Sequence, residues 1–406
     1  MNMKKIILLI LDGLGDRPLD YLGGKTPLQA AKKKNINRLA SMGMVGLFDP
    51  ISPGIRPGSD TAHLSILGYD PFKVYTGRGP FEALGLGMDL RPGDIAFRGN
   101  FATVDSNMVV LDRRAGRIDK GTDELAKALN IVIDGVEIMV KEGVEHRAGV
   151  VFRGAGLSPN VTDVDPHEEG KSILKARALT EDGKKTADII NKFISKSYEI
   201  LENHPVNKQR KKEGKMPANI IMLRGAGIVP ELEGFNKKYG MKGACIVGVP
   251  LLSGLCKLAG MDVIKVPGVT GTVNTNMENK IRYAIEATRD YDFILVNIKA
   301  TDVAGHDGNG RLKKEIIERV DSAIEPFLDN LDKITLMITG DHSTPCSVKD
   351  HTGDPLPVLV VTEGIRRDGI DEFDEVSVSR GSLRIRGHDV INILLNYSDR
   401  AEKFGA

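Results

Sequence analysis

Two kinds of hydrophobic pattern alternate along this chain. "KIILLILDG" (5–13), "FILVNIKATD" (293–302) and "ITLMITGDHS" (334–343) are uninterrupted apolar runs cut off by a polar turn, and "PVLVV" (357–361) has the same form. Runs of this kind, with no polar alternation, predict strands buried on both faces, as in a parallel sheet. Between them the apolar positions fall at helical spacing. One helix is predicted to start near Pro27 and run through Leu28, Ile36 and Leu39; another runs through Leu312, Ile316, Val320 and Ile324. Strands alternating with helices predict an α/β fold with a mainly parallel sheet flanked by helices.

The middle of the chain breaks this rhythm. "IAFRGNFATVD", "MVVLDRR", "GVEIMVKEG" and "HRAGVVFRG" are short, more polar and close together, which predicts an antiparallel sheet with one wet face. A long amphipathic helix follows, with Ile189, Ile190, Phe193, Ile194, Tyr198 and Leu201 on one stripe and Thr180 as its cap. "PVNKQRKKEGKMP" reads as a solvated basic loop. After "NIIMLRG" the strand-and-helix pattern returns at "GACIVGVPLLSGLCKLAG". The expected plan is one core in two pieces, residues 1–75 and 236–406, with a smaller α+β domain, 76–235, inserted between them.

Composition adds limits. A chain of 406 residues is long for one core, which supports two domains. Fifty-six basic against 55 acidic residues leave a net charge of +1, so there is no electrostatic case for nucleic acid or an anionic membrane. Cys245, Cys256 and Cys346 are widely spaced and form no CxxC, which fits a reducing compartment and argues against a disulfide scaffold or thiolate zinc knot. Two lysines precede the first apolar run, but that run is short, Asp12 ends it, and no small-residue cleavage site follows. It reads as a strand rather than a signal peptide. No apolar stretch reaches transmembrane length. The expectation is a soluble, cytoplasmic protein; the sequence leaves a homo-oligomer open.

The chemistry lies where the buried strands end. Asp12 closes the first, Asp302 follows the second, and Asp341 with His342 follows the third. In an open parallel sheet, ligands bind outside the carboxyl ends of the strands, so these distant acids are placed to meet along one edge. Singly, each is most simply a turn or capping residue. The joint pattern says more. "TDVAGHDG" sets Asp302 and His306 four apart, so one helical turn aims both at one ion. "GDHSTP" sets Asp341 beside His342, where adjacent side chains diverge toward two ions, and "DHTGDPLPV" adds His351. Oxygen and imidazole donors without thiolate suit manganese, zinc, cobalt or magnesium, and two such ions clamp the oxygens of a phosphoryl transfer.

This also gives a reason for Ser59 in "RPGSDTAHLSILGYD", which has no GxSxG elbow and no adjacent base. At a loop-to-helix junction it reads as a cap; bound to a divalent cation, its hydroxyl would lose its proton without a histidine base. The two readings are compatible, because a helix N-terminus also favours phosphate.

"LDGLGD", "PGSDTAHLS", "ATDVAGHDG", "TGDHSTP" and "HTGDPLPV" occur in the order and context of the alkaline phosphatase superfamily. With "TGRGPFEALG" and "VPGVTGTVNTN", essentially the whole chain resembles the archaeal-type cofactor-independent phosphoglycerate mutases. The resemblance implies an alkaline-phosphatase-like core and one ion held by Asp12, Ser59, Asp341 and His342, with a second held by Asp302, His306 and His351. It implies interconversion of 3-phosphoglycerate and 2-phosphoglycerate through phosphorylation of Ser59, without bisphosphoglycerate. "PGSDTAH" departs from the "GNSEVGH" of the bacterial-type mutases, a difference of subtype only. The RHG motif of the bisphosphoglycerate-dependent mutases is absent, and "RIRGHDVI", with His388, reads as the start of a final helix.

A substrate bearing a carboxylate and a phosphate needs further cations, and arginine forks suit carboxylates. The expected substrate residues are Arg113, Arg114, Asp165, His167, Arg224 and Lys265, with Arg78, Arg98 and Arg153 as further candidates. The competing readings are a metal-dependent phosphomonoesterase or another phosphomutase on the same core, and a non-catalytic metal-binding protein; the complete ligand set argues against the last.

Overall fold

The first apolar run becomes the middle of an eight-stranded sheet. In order across the sheet the strands are Asp262–Val263, Gly243–Ile246, Phe293–Ile298, Lys5–Leu11, Ile334–Thr339, Leu356–Val361, Met44–Asp49 and Leu383–Arg386. Residues 6–11 are fully buried. Each such aliphatic side chain stabilises by about 1.5–3 kcal/mol when taken out of water, so a strand without a polar position belongs at the centre. Lys5–Leu11 is parallel to both Phe293–Ile298 and Ile334–Thr339, and the three carboxyl ends therefore open on one edge.

The computed structural model describes residues 3–405 and divides into two compact units, one running to Val74 and resuming at Leu232, the other Tyr75–Glu231. The first unit holds the eight-stranded sheet. The strand Leu356–Val361 is antiparallel to both its neighbours, unlike the other apolar runs. A strand buried on both faces carries the same pattern in either direction, so the sequence does not encode this reversal. The helix expected from Pro27 to Leu39 is two helices, Pro27–Ala30 and Lys34–Met42, separated at Ala31, which is extended. Thr26 and Gln29 form a capping box that starts the first. Gly310–Ala323 buries Ile316, Ile317 and Val320 as its spacing predicts, and Val390–Tyr397 follows a short 3-10 turn containing His388.

The second unit is a six-stranded antiparallel sheet with Ile95–Val104 at its heart, paired to Val110–Asp112, Arg147–Arg153 and Ile220–Gly227. The expected wet face is missing from Ile95–Val104, which is buried at every position. Phe97, Phe152 and Phe193 of the long helix Lys184–Glu202 pack on one side, while Ala83 of the helix Gly79–Gly85 covers Ala96 and Val151. Thr180 does not cap the long helix. It precedes a 3-10 turn, Glu181–Gly183, and its hydroxyl donates to Asp182 Oδ1 at 2.5 Å. The basic stretch also folds, as the helix Pro205–Lys212, with His204 Nδ1 accepting from the Val206 N–H. Buried Asn207 fastens it by donating to the Leu201 and Ala218 carbonyls. Among the described residues, no helix is long and apolar enough to cross a membrane.

Candidate metal centre

Three adjacent strands deliver their acids to one place. Asp12 is the first residue beyond Lys5–Leu11, Asp302 lies in the helix Ala300–His306 after Phe293–Ile298, and Asp341 and His342 follow Ile334–Thr339. All four are buried, as is Ser59. Gly58 is the N-cap of the helix Ser59–Ile66, so Ser59 is its first helical residue and not its cap.

The histidines are oriented by what their Nδ1 atoms touch. His351 Nδ1 donates to the Pro57 carbonyl and His306 Nδ1 to the Lys349 carbonyl, each at 2.9 Å. A carbonyl only accepts, so Nδ1 carries the hydrogen and Nε2 is the nitrogen left for another cation. Both Nε2 atoms face Asp302 Oδ1, at 3.4 Å for His306 and 3.5 Å for His351. His342 Nε2 lies 3.5 Å from Asp12 Oδ1, 3.4 Å from Asp341 Oδ2 and 3.2 Å from Ser59 Oγ. Asp341 and His342 do not diverge toward separate partners as their adjacency suggests. They converge with Asp12, while His342 also stacks on His351 with ring centroids 3.5 Å apart.

The donor atoms thus form two groups, Asp12–Asp341–His342 and Asp302–His342–His351, with His306 reaching Asp302 from the same helix. A nitrogen lone pair facing a carboxylate oxygen needs a cation between them, either a proton or a metal. Burial holds His342 well below the usual imidazole range, so the ring is disposed to stay neutral and to offer one nitrogen as a donor. Asp341 Oδ2 is buried without a hydrogen-bond partner. Burial, then the neighbouring Asp12 charge, pushes its carboxyl well above the usual range. Both strains are relieved by a divalent ion, and the residues present fit one.

Lys299 supplies positive charge of its own. Its ammonium contacts Asp12 Oδ1 at 2.8 Å and Asp302 Oδ2 at 2.7 Å, and donates to Ser59 Oγ at 3.4 Å. Burial opposes the charge, but Asp12, Asp302 and Asp341 together hold its pKa above the ordinary lysine value. Sequence reasoning missed it, although a lysine three residues before a buried acid was a visible signal. It also missed Asn297, whose amide donates to Asp12 Oδ2 at 3.0 Å, and Thr344, which touches both His342 and Asp302.

A family model described as 2,3-bisphosphoglycerate-independent phosphoglycerate mutase matches residues 40–207. The mutase of that name from Thermoplasma volcanium is 56% identical over 406 residues, the whole of both chains, and one from Methanocaldococcus jannaschii is 50% identical over the whole of both. The chain belongs to the 2,3-bisphosphoglycerate-independent phosphoglycerate mutase family. Among solved structures, the cofactor-independent phosphoglycerate mutase of Thermoplasma acidophilum is 47% identical with a TM-score of 0.72, covering 98% of this chain and all of that one. The PH0037 protein of Pyrococcus horikoshii is 40% identical with a TM-score of 0.88 over the whole of both chains.

In this mutase-family chain, the expected substrate residues fall unevenly. Arg113 pairs with buried Asp165 at 2.7 Å and approaches His167 Nδ1 at 3.4 Å, forming one cluster in the second unit. Arg98 reaches Glu82 at 3.4 Å, as does Arg78. Arg98 and Arg224 each have a buried Nε without a hydrogen-bond partner. Burial, reinforced by neighbouring arginines, lowers the pKa of both guanidiniums. Buried cations crowded in this way attract an anion. Two residues stand outside this arrangement. Arg153 is engaged by Asp94 at 2.7 Å, and Lys265 is exposed in the first unit. Arg114 is exposed, with its backbone N–H held by Asp112.

Proposed function

We propose that this chain interconverts 3-phosphoglycerate and 2-phosphoglycerate through a phosphoserine at Ser59, independently of bisphosphoglycerate. The observation that carries the reading is the meeting of one serine hydroxyl, three buried carboxylates and the Nε2 of His342 at a single sheet edge. Asp12, Ser59, Asp341 and His342 would hold one divalent ion, and Asp302, His306 and His351 the other; manganese, zinc, cobalt and magnesium all suit these donors. Bound there, such ions acidify a hydroxyl and offset the charge of a transferring phosphoryl group.

The chain's own groups do the rest. Ser59 begins the helix Ser59–Ile66, where free N–H groups and the helix dipole favour phosphate. The Lys299 ammonium beside Ser59 Oγ adds a further positive charge. In the second unit, Arg98 and Arg224 offer unpaired donors to a carboxylate or phosphate, and Arg113 is kept in place by Asp165 and His167. Retaining glycerate matters, because water competes with it for the phosphoserine and only a held, oriented hydroxyl wins.

The test is an assay on 3-phosphoglycerate without bisphosphoglycerate, after chelation and re-addition of single metals. Formation of 2-phosphoglycerate that is lost on chelation and restored by manganese or cobalt is the expected result. Release of phosphate and glycerate alone would make the protein a phosphomonoesterase, and full turnover by protein shown to be metal-free would sink the two-ion reading.

A further inference from the structure

We propose that Thr344 is the positioning residue that joins the two ligand groups and decides which nitrogen of His342 binds a cation. This rests on the two-ion reading. His306 and His351 have their Nδ1 hydrogens fixed by backbone carbonyls, but His342 has no such partner. Its Nδ1 lies 3.0 Å from Thr344 Oγ1. A hydroxyl owns one hydrogen and can accept through its lone pairs. Thr344 donates that hydrogen to Asp302 Oδ1 at 2.7 Å, and an ionised carboxylate can only accept. The hydroxyl must therefore accept from His342 Nδ1–H, which leaves Nε2 bare toward Asp12 and Asp341. One oxygen thus sets the tautomer of a ligand in one group and the rotamer of a ligand in the other.

The position of this hydroxyl is over-determined. Thr344 is fully buried. Its N–H donates to the Gly15 carbonyl at 3.1 Å, and its own carbonyl accepts from the buried Lys313 ammonium at 3.0 Å. Lys313 also donates to Gly15 O at 3.0 Å and Asp16 Oδ2 at 2.9 Å, tying the loop after Asp12 to the loop after Asp341. Glycines close the remaining sides. A Cβ on Gly13, whose φ is +68°, would stand 2.7 Å from both Thr344 Oγ1 and the Asp302 Cα, and one on Gly305 would strike the Thr344 carbonyl. Partners behind a metal ligand commonly change affinity by about 10–100-fold when removed.

The experiment is a manganese titration of the chelated full-length protein, with free aqueous Mn²⁺ read by electron paramagnetic resonance. Wild type should take up two ions. Thr344→Val, which keeps the shape and loses the donor and acceptor, should bind them at least about tenfold more weakly, and Thr344→Ser should bind as wild type does. Should the valine variant fail to fold, Thr344→Ala carries the same expectation. Wild-type affinity in the hydroxyl-free variant, with only its melting temperature lowered, would overturn the proposal, as would an equal loss in the serine variant. A wild type that takes up fewer than two ions would instead overturn the two-ion reading, and this inference with it.

Discussion

Lys299 is bonded to Asp12 through a 2.8 Å ammonium–carboxylate contact, and the same ammonium reaches Asp302 at 2.7 Å. One acid from each ligand group therefore shares a single internal cation. Removing one partner of a buried pair costs about 3–5 kcal/mol, because the other charge is left uncompensated. Divalent ions at the same carboxylates would cover much of that loss, since a ligand bound only by the folded state stabilises it. Lys299→Met should therefore lower the melting temperature more in chelated than in manganese-loaded protein. Equal losses in both would mean that Lys299 does not share its role with the metals.

Ser59→Ala should abolish phosphoenzyme and isomerisation together while the fold persists. Gly58, not Ser59, occupies the N-cap, so the substitution removes no cap and the melting temperature should stay close to wild type. Mass spectrometry of the peptide containing residue 59, after mixing with 3-phosphoglycerate, reads the first outcome. Isomerisation near the wild-type rate would reduce Ser59 to a structural residue.

Arg224→Ala should shift the product ratio rather than stop phosphate transfer. If this guanidinium helps to retain glycerate, its loss lets water take more of the phosphoserine. The ratio of inorganic phosphate to 2-phosphoglycerate should then rise, whereas Ser59→Ala suppresses both. A ratio unchanged in Arg224→Ala and Arg98→Ala alike would remove these arginines from the reaction.

His146 gives the second unit a pH dependence. Burial, then the positive Arg147, Arg114, Arg98 and Arg224, pushes its pKa down to about 3. Unfolded histidine titrates near 6.5, so between these values the unfolded chain takes up a proton that the folded one refuses. Its contribution to stability is complete above about pH 6.5 and is lost as pH falls toward 3. Denaturant titrations at pH 7 and pH 4.5 should show a smaller acid loss for His146→Gln than for wild type. Parallel losses in the two proteins would show that His146 is not the group responsible.

The sequence was most informative where burial is complete. Residues 6–11, 293–298 and 334–339 have no polar alternation and became the three central strands, and that placed Asp12, Asp302 and Asp341 on one edge. The pattern does not record strand direction, which is why Leu356–Val361 came as a reversal. Local propensity also gave way to tertiary contacts. A stretch as basic as 205–212 became a helix because Asn207 anchors it, and Thr180 bonded forward to Asp182 instead of capping. Lys299 showed only its local half, a lysine three residues before Asp302; its partner 287 residues away, like Thr344's 42 residues away, is reported by no local pattern.

The central position of Lys5–Leu11 has a consequence for biosynthesis. This strand leaves the ribosome long before its partners, because both of its hydrogen-bonding edges belong to Phe293–Ile298 and Ile334–Thr339. At typical elongation rates it waits on the order of tens of seconds for them. During that interval a strand apolar from Ile6 to Leu11 has neither native neighbour, while Tyr75–Glu231, whose strands pair among themselves, can already close. The nascent chain thus carries an unpaired β template beside a folded unit, and newly made protein should depend on chaperones that shield such segments far more than the finished molecule does.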